Sequence, residues 1–225
     1  MRCSQQKLDT VQPNEGVKKA YFLALLLLLR KKSVSTEQIT EIVTKFVAGQ
    51  AAATDFALKR VFKKAGYLIT FENPVPTAAF ILENTKLVRN WLEAAGVMVS
   101  TKFTEPKPTE VTEVKFTEPK PTVSNLENRA ALISKDQGNK INSFVNKTRQ
   151  LELGIAQAVW VYEHFAKYPR YDHIDAEGTV YNVSQGCFIS GQYIQPGELI
   201  NCGCSSRIVL PAGNQLKQFD IRQKL

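Results

Sequence analysis

No apolar run in this 225-residue chain reaches the roughly 20 residues needed to span a bilayer. The longest, Ala20 to Leu29, ends in five consecutive leucines and is stopped by Arg30, Lys31 and Lys32. A membrane-spanning helix is thereby excluded for this run, and a buried or partner-facing helix is predicted. Lys18 and Lys19 ahead of it suggest an export signal. Mostly polar residues precede them, however, and basic rather than small residues follow where cleavage would fall, so no export is expected. Cysteine is scarce, with four residues, one of them (Cys3) alone in a polar N-terminal stretch. That excludes a disulfide scaffold and predicts reduced thiols in a cytosolic setting. A concentrated basic patch is also lacking. The net charge is +8, but Lys18-Lys19, Arg30 to Lys32, Lys59-Arg60, Lys63-Lys64 and Lys217, Arg222 and Lys224 are spread along the chain. Without interleaved aromatics this pattern argues against sequence-specific nucleic-acid reading and leaves only a non-specific attraction to DNA.

The chain length and 44% apolar content allow a substantial core, in one large domain or two small ones. Periodicity predicts an α+β protein: a helical N-terminal region (1–100), a Pro-rich linker (101–123), then a long helix followed by a small antiparallel β unit (124–225). A first helix covers Gly16 to Lys32. Ser35 and Gln38 form a predicted capping box, after which Ile39, Ile42, Val43, Phe46 and Val47 recur at helical spacing. A separate third helix is expected from about Thr54 to a stop at Gly66, and a fourth from Thr77 to Gly96. Tyr67 to Thr70 and Val97 to Ser100 have strand composition. The linker contains an exact repeat, Lys102 to Thr109 and Lys115 to Thr122, whose four prolines forbid helix and favour an extended spacer.

Beyond the linker, a capping box at Ser124 and Glu127 opens a helix reaching past Leu151, with Gly138 and Gly154 as weak points. Ile155, Val159 and Trp160 read as helical, with Trp160 a core anchor. Strands are expected at Thr179 to Val183, Phe188-Ile189, Gln192 to Ile194 and Ile208 to Leu210.

The chemistry-bearing residues lie in this last part. Cys202 and Cys204 are one residue apart behind the Pro196-Gly197 turn, and on a strand their sulfurs would share a face. With Cys187 and His173 they complete a Cys3His inventory for a structural zinc. The spacing is tighter than in familiar zinc knuckles, which favours the competing reading of small buried side chains in a compact β unit. His173, flanked by Asp172 and Asp175, could act as a base toward Cys202, but no orienting partner is fixed by sequence. His164 has no constellation.

Several pieces in order resemble the C-terminal module of the phage Mu F-protein-like family, the minor head or head morphogenesis proteins of tailed bacteriophages. They are Asn128 to Ile133 with Asn139 to Asn142, Leu153 to Ile155 before Trp160, Arg170 with His173, Glu177-Gly178 to Tyr181, Tyr193 to Glu198 with Pro196-Gly197, and Asn201-Cys202-Gly203-Cys204 with Arg207. The resemblance covers about residues 124–211. Two positions depart from it: Gly203 stands where a basic residue is common, and Glu177 where aspartate is usual. The resemblance implies a non-enzymatic virion protein in the head interior or at the portal vertex, acting in head morphogenesis or DNA delivery. Its partners would be the portal and/or major capsid protein, with non-specific contact to packaged DNA and no membrane. The N-terminal helices would dock on a partner while residues 124–225 fold without them. A Cys/His hydrolase or transferase and a DNA-binding packaging accessory are the alternatives.

Overall fold

A computed structural model describes residues 7–100, 123–163 and 169–210. The protein is α+β, with helices first and small antiparallel sheets later. The Pro-rich repeat, Cys3 and His164 lie outside the described residues.

Helix α1 (Glu15–Leu29) begins where Asn14 Oδ1 accepts a hydrogen bond from the Val17 amide at 3.0 Å. It buries Tyr21, Leu25 and Leu28 along one stripe and leaves Leu23 and Leu27 exposed, so the leucine run is divided between core and surface. The Ser35–Gln38 capping box forms as expected and opens α2 (Thr36–Lys64). This helix is continuous for 29 residues, where two helices were expected. The reason lies in packing: Val47, Gln50, Thr54 and Leu58 carry one buried face across the expected break, and Thr54 Oγ1 donates to Asn142 Oδ1 of the later helix at 2.9 Å. Gly66, at φ +85°, ends it, with the Tyr67 amide bonding back to the Phe62 carbonyl.

Residues 67–70 form no strand, contrary to the sequence expectation; no partner strand lies alongside, and Tyr67 instead packs edge-on to Phe62. Helix α3 (Ala78–Ala94) follows and ends at Gly96. Strand β2 (Met98–Ser100) pairs in parallel with β1 (Ser33–Ser35), a three-residue segment whose composition gave no sign of a strand.

Helix α4 (Val123–Glu152) runs straight through Gly138, over which the Lys18 side chain lies so closely that a Cβ would collide with it. It ends at Gly154, φ +73°, with the Ile155 amide bonded to the Gln150 carbonyl. The chain then enters β3 (Gln157–Val161), so Trp160 sits on a strand rather than on the expected helix; the left-handed Gly154 ends the helical path before the Val159-Trp160-Val161 run. β3 is the centre of a three-stranded antiparallel sheet between β4 (Val180–Asn182) and β7 (Ser205–Val209). The short helix α5 (Tyr171–Asp175) precedes β4, and β5 (Cys187–Ile189) and β6 (Gln192–Ile194) make a separate hairpin.

Two hydrophobic clusters result, and both mix residues from the two sides of the repeat. One gathers Tyr21, Leu25, Leu28, Ile39, Val43, Val88, Trp91 and Leu92 with Ala130, Ile133, Ile141 and Val145 of α4. The other joins Leu8, Val11, Leu58 and Phe62 to the β unit around Trp160, Ile155, Tyr181 and Ile208. α2 and α4, each about 45 Å long at 1.5 Å per residue, lie against one another, and α2 supplies residues to both clusters. The apolar face of α4 is covered by α1 and α2.

Candidate metal centre

The loop between β6 and β7 turns at Gly197 (φ +82°) and again at Asn201 (φ +58°). Gly197 is buried against α4: a Cβ would come within 3.2 Å of the Asn139 carbonyl oxygen and 3.3 Å of Ser143 Cβ. Two polar side chains of α4 then fix the loop. Asp136 Oδ1 accepts from the Asn201 amide at 2.6 Å, and Asn139 Nδ2 donates to the Cys202 carbonyl at 2.9 Å. Further along, Asn146 Nδ2 and Gln150 Nε2 donate to Ser206 Oγ at 3.0 and 3.1 Å. Thus one face of α4 is polar because it holds a loop, and the residues concerned are buried.

Cys202 and Cys204 lie in the loop just before β7 rather than on the strand itself. Their sulfurs nonetheless converge, each 3.5 Å from Nδ1 of His173. His173 arrives on α5, whose start is held by Arg170 Nη2 donating to the Ile200 carbonyl at 2.9 Å. Asp172 pins the same turn, accepting from the His173 amide at 2.9 Å and from Ser190 Oγ at 2.8 Å. The Ser190 hydroxyl is the main reason its carboxyl lies below the usual range. Trp160, fully buried, stands perpendicular to the His173 ring with centroids 5.2 Å apart. Gly178, at φ +80°, closes the turn into β4 by donating its amide to the Trp160 carbonyl at 2.9 Å. The Glu177 carboxylate accepts from the Tyr162 amide, so a carboxylate works at this position with the longer side chain.

The sulfurs are electrostatically unequal. The Cys202 thiol is pushed down to about 6, first by a hydrogen bond from the Cys204 thiol, then by the backbone amides of Cys204 and Gly197 and by His173, against the opposing effect of burial. Cys204 is raised, because its proton is held against Cys202 and because it is buried, while the Glu163 amide acts the other way. The first sulfur to ionise is therefore Cys202, and a second negative sulfur beside it needs a compensating positive charge.

All three side chains are buried, and their ligand atoms lie within 4.8 Å of one another. Cys187, the fourth ligand in the sequence-based inventory, is outside this group; it sits on β5 in the apolar cluster, where burial raises its thiol. A cleft of about 190 Å³ opens onto the trio and is lined also by Tyr162, Glu163, Arg170, Ile200, Asn201 and Gly203. Sequence reasoning missed Glu163 and Asp136, and it named Asn139 only as part of a helical resemblance, not as a residue of this site. The last two had a signal in the recurrence of polar residues Asp136, Asn139, Asn142, Asn146 and Gln150 at helical spacing; Glu163 had none. Of the residues carrying the family resemblance, Trp160, Arg170, His173, Gly178, Pro196, Gly197, Asn201, Cys202 and Cys204 lie in or directly support this site. Arg207 lies on β7 opposite Val159, in the sheet. Comparison of the chain with protein-family models, with curated proteins and with solved structures finds no match.

Proposed function

We propose that this chain is a structural minor head protein of a tailed bacteriophage, bound at the portal or inner capsid surface and acting in head morphogenesis or DNA delivery. The observation that carries the reading is convergence. Residues singled out by their resemblance to the Mu F-like pattern, scattered from Trp160 to Cys204, meet around one buried centre and its supporting turns. A resemblance arising from unrelated short matches would have no reason to assemble in space.

The surface suits a binding protein. Ser190 ties the β5–β6 turn to α5, and this side of the β unit leaves Tyr171, Phe188 and Tyr193 exposed, the last two with ring centroids 5.1 Å apart. On α1, Leu23 and Leu27 are exposed as well. Exposed aromatic and aliphatic side chains of this kind are the anchors that protein interfaces use. No described helix is long and apolar enough to cross a membrane.

A Cys/His enzyme is the second reading, favoured by the depressed Cys202 thiol beside His173. Against it, Nδ1 of His173 is shared equally by two sulfurs, and Nε2 is buried with no hydrogen-bond partner, so nothing orients the ring as a general base requires. The test is assembly. Heads made by co-expressing the portal and major capsid proteins of the proposed parent phage are sedimented with and without it. Co-sedimentation in low copy number, lost on Phe188→Ser/Tyr193→Ser substitution, is the expected result. A chain that stays at the top of the gradient, with heads forming normally, overturns the reading.

A further inference from the structure

We propose that His173, Cys202 and Cys204 bind a zinc ion, through Nδ1 and the two Sγ atoms, with the fourth coordination position opening on the cleft beside Glu163. The proposal is independent of the phage reading and rests on geometry. Zinc–sulfur bonds of about 2.3 Å and zinc–nitrogen bonds of about 2.0–2.1 Å at tetrahedral angles put sulfur and nitrogen about 3.6 Å apart. Both sulfurs lie 3.5 Å from Nδ1. Both sulfur–nitrogen separations thus match those of a tetrahedral zinc site.

Backbone donors stand beside both sulfurs. The amides of Gly197 and Cys204 point at Cys202 Sγ, and the amide of Glu163 points at Cys204 Sγ. Such donors stabilise negative sulfur and, around a bound metal, draw off part of the charge it receives. Yet two adjacent buried thiolates repel one another, and among the described residues lining the cleft the only cation is Arg170, whose guanidinium is engaged by the Ile200 carbonyl. A divalent ion with two thiolates and a neutral imidazole sums to zero charge, the arrangement a buried pocket tolerates best. Soft sulfur donors select zinc over magnesium or calcium.

The three ligands come from two segments, α5 and the 197–204 loop, each anchored separately: α5 by Asp172 to Ser190, the loop by Asp136 and Asn139 to α4. A bound ion would join these anchors. The fourth position opens on the cleft and takes a water or the Glu163 carboxylate, the sole carboxylate among the described residues lining it and one whose Oε2 is buried without a hydrogen-bond partner.

The experiment uses the full chain, purified reduced, with circular dichroism to confirm folding. Cobalt is titrated in, zinc is then used to displace it, and affinity is read by competition with a chromophoric chelator. Stoichiometric binding is expected, with tetrahedral cobalt bands and thiolate charge-transfer intensity corresponding to two sulfurs. It should be lost in Cys202→Ser, Cys204→Ser and His173→Gln and kept in Cys187→Ser. The unmodified chain carries the decision even if a variant unfolds. A folded, reduced chain that binds no stoichiometric zinc or cobalt overturns the proposal, as does binding that survives in a folded Cys202→Ser/Cys204→Ser double variant.

Discussion

The Glu163 carboxylate fills the volume into which any side chain at Gly203 would project. Lys135 of α4 stands 3.5 Å from that carboxylate, so the residue between the two cysteines is covered by an ion pair supplied from elsewhere in the chain.

The first prediction follows from that exclusion. Gly203→Ala puts a methyl group where the carboxylate lies, but the obstacle is the far end of a flexible, partly exposed side chain that can swing outward. A loss of about 1 kcal/mol is expected, the size of an ordinary surface-proximal defect. In a Glu163→Ala background the same substitution should cost close to nothing. Urea denaturation of the four proteins of the double-mutant cycle measures the coupling, and equal costs in both backgrounds would show that Glu163 is not what excludes a side chain at 203.

A second prediction concerns Arg149, which is 2% exposed in the middle of the α2–α4 contact. Its Nε and Nη2 donate to the two oxygens of Asp55, both at 2.8 Å, Nη1 donates to Glu152 at 2.7 Å, and the guanidinium lies 4.3 Å from the centroid of Phe71. It therefore ties α2, α4 and the segment after α2 together. Asp55 and Glu152 keep some access to water, so the loss on Arg149→Ala falls below that of a fully buried pair, about 2–3 kcal/mol. Arg149→Lys should recover only a minor part, because an ammonium group cannot serve both Asp55 oxygens in the same planar geometry. Full recovery in the lysine variant, by chemical denaturation, would reduce the clamp to a simple charge effect.

The helices with clean apolar stripes could be read from sequence because their burial follows a 3.6-residue period, as at Ile39, Val43, Phe46 and Val47. The joining of two expected helices into α2 could not, because Gln50 and Thr54, which carry the buried face across the join, are polar, and the Thr54 contact with Asn142 of α4 is tertiary. β2 falls within the Val97 to Ser100 segment of strand composition, whereas β1 carries no local signal and depends on pairing with it, and β3 was hidden because Gly154 reads as a weak point rather than as a stop. At the site, Cys202, Cys204 and His173 could be named from residue type, whereas the exclusion of Cys187 depends on tertiary placement alone. α4 was underestimated for a related reason: an apolar stripe predicts a helix but not that its polar residues will be the ones buried against the cysteine loop.

The N-terminal segment supplies the last prediction. By sequence, residues before α1 are a polar lead-in, yet the Leu8 amide donates to the Ile208 carbonyl at 2.9 Å and Lys7 bridges Val209, which covers the outer edge of β7. Leu8 and Val11 are buried in the cluster around Trp160, the Val11 carbonyl accepts from Asn142 Nδ2 at 3.0 Å, and Gln12 Nε2 donates to Ser205 Oγ at 3.1 Å. Removing residues 1–12 would therefore open a strand edge, uncover apolar surface and leave the buried Asn142 amide unpaired, three defects in one place. Leu8→Ala alone should cost about 2–4 kcal/mol as a large-to-small change in a packed core. The deletion should cost more and promote association through the exposed β7 edge. Light scattering with thermal denaturation tests both effects. A deleted chain that stays monomeric and as stable as the full one would mean that β7 needs no cover and that the segment contributes nothing to the fold.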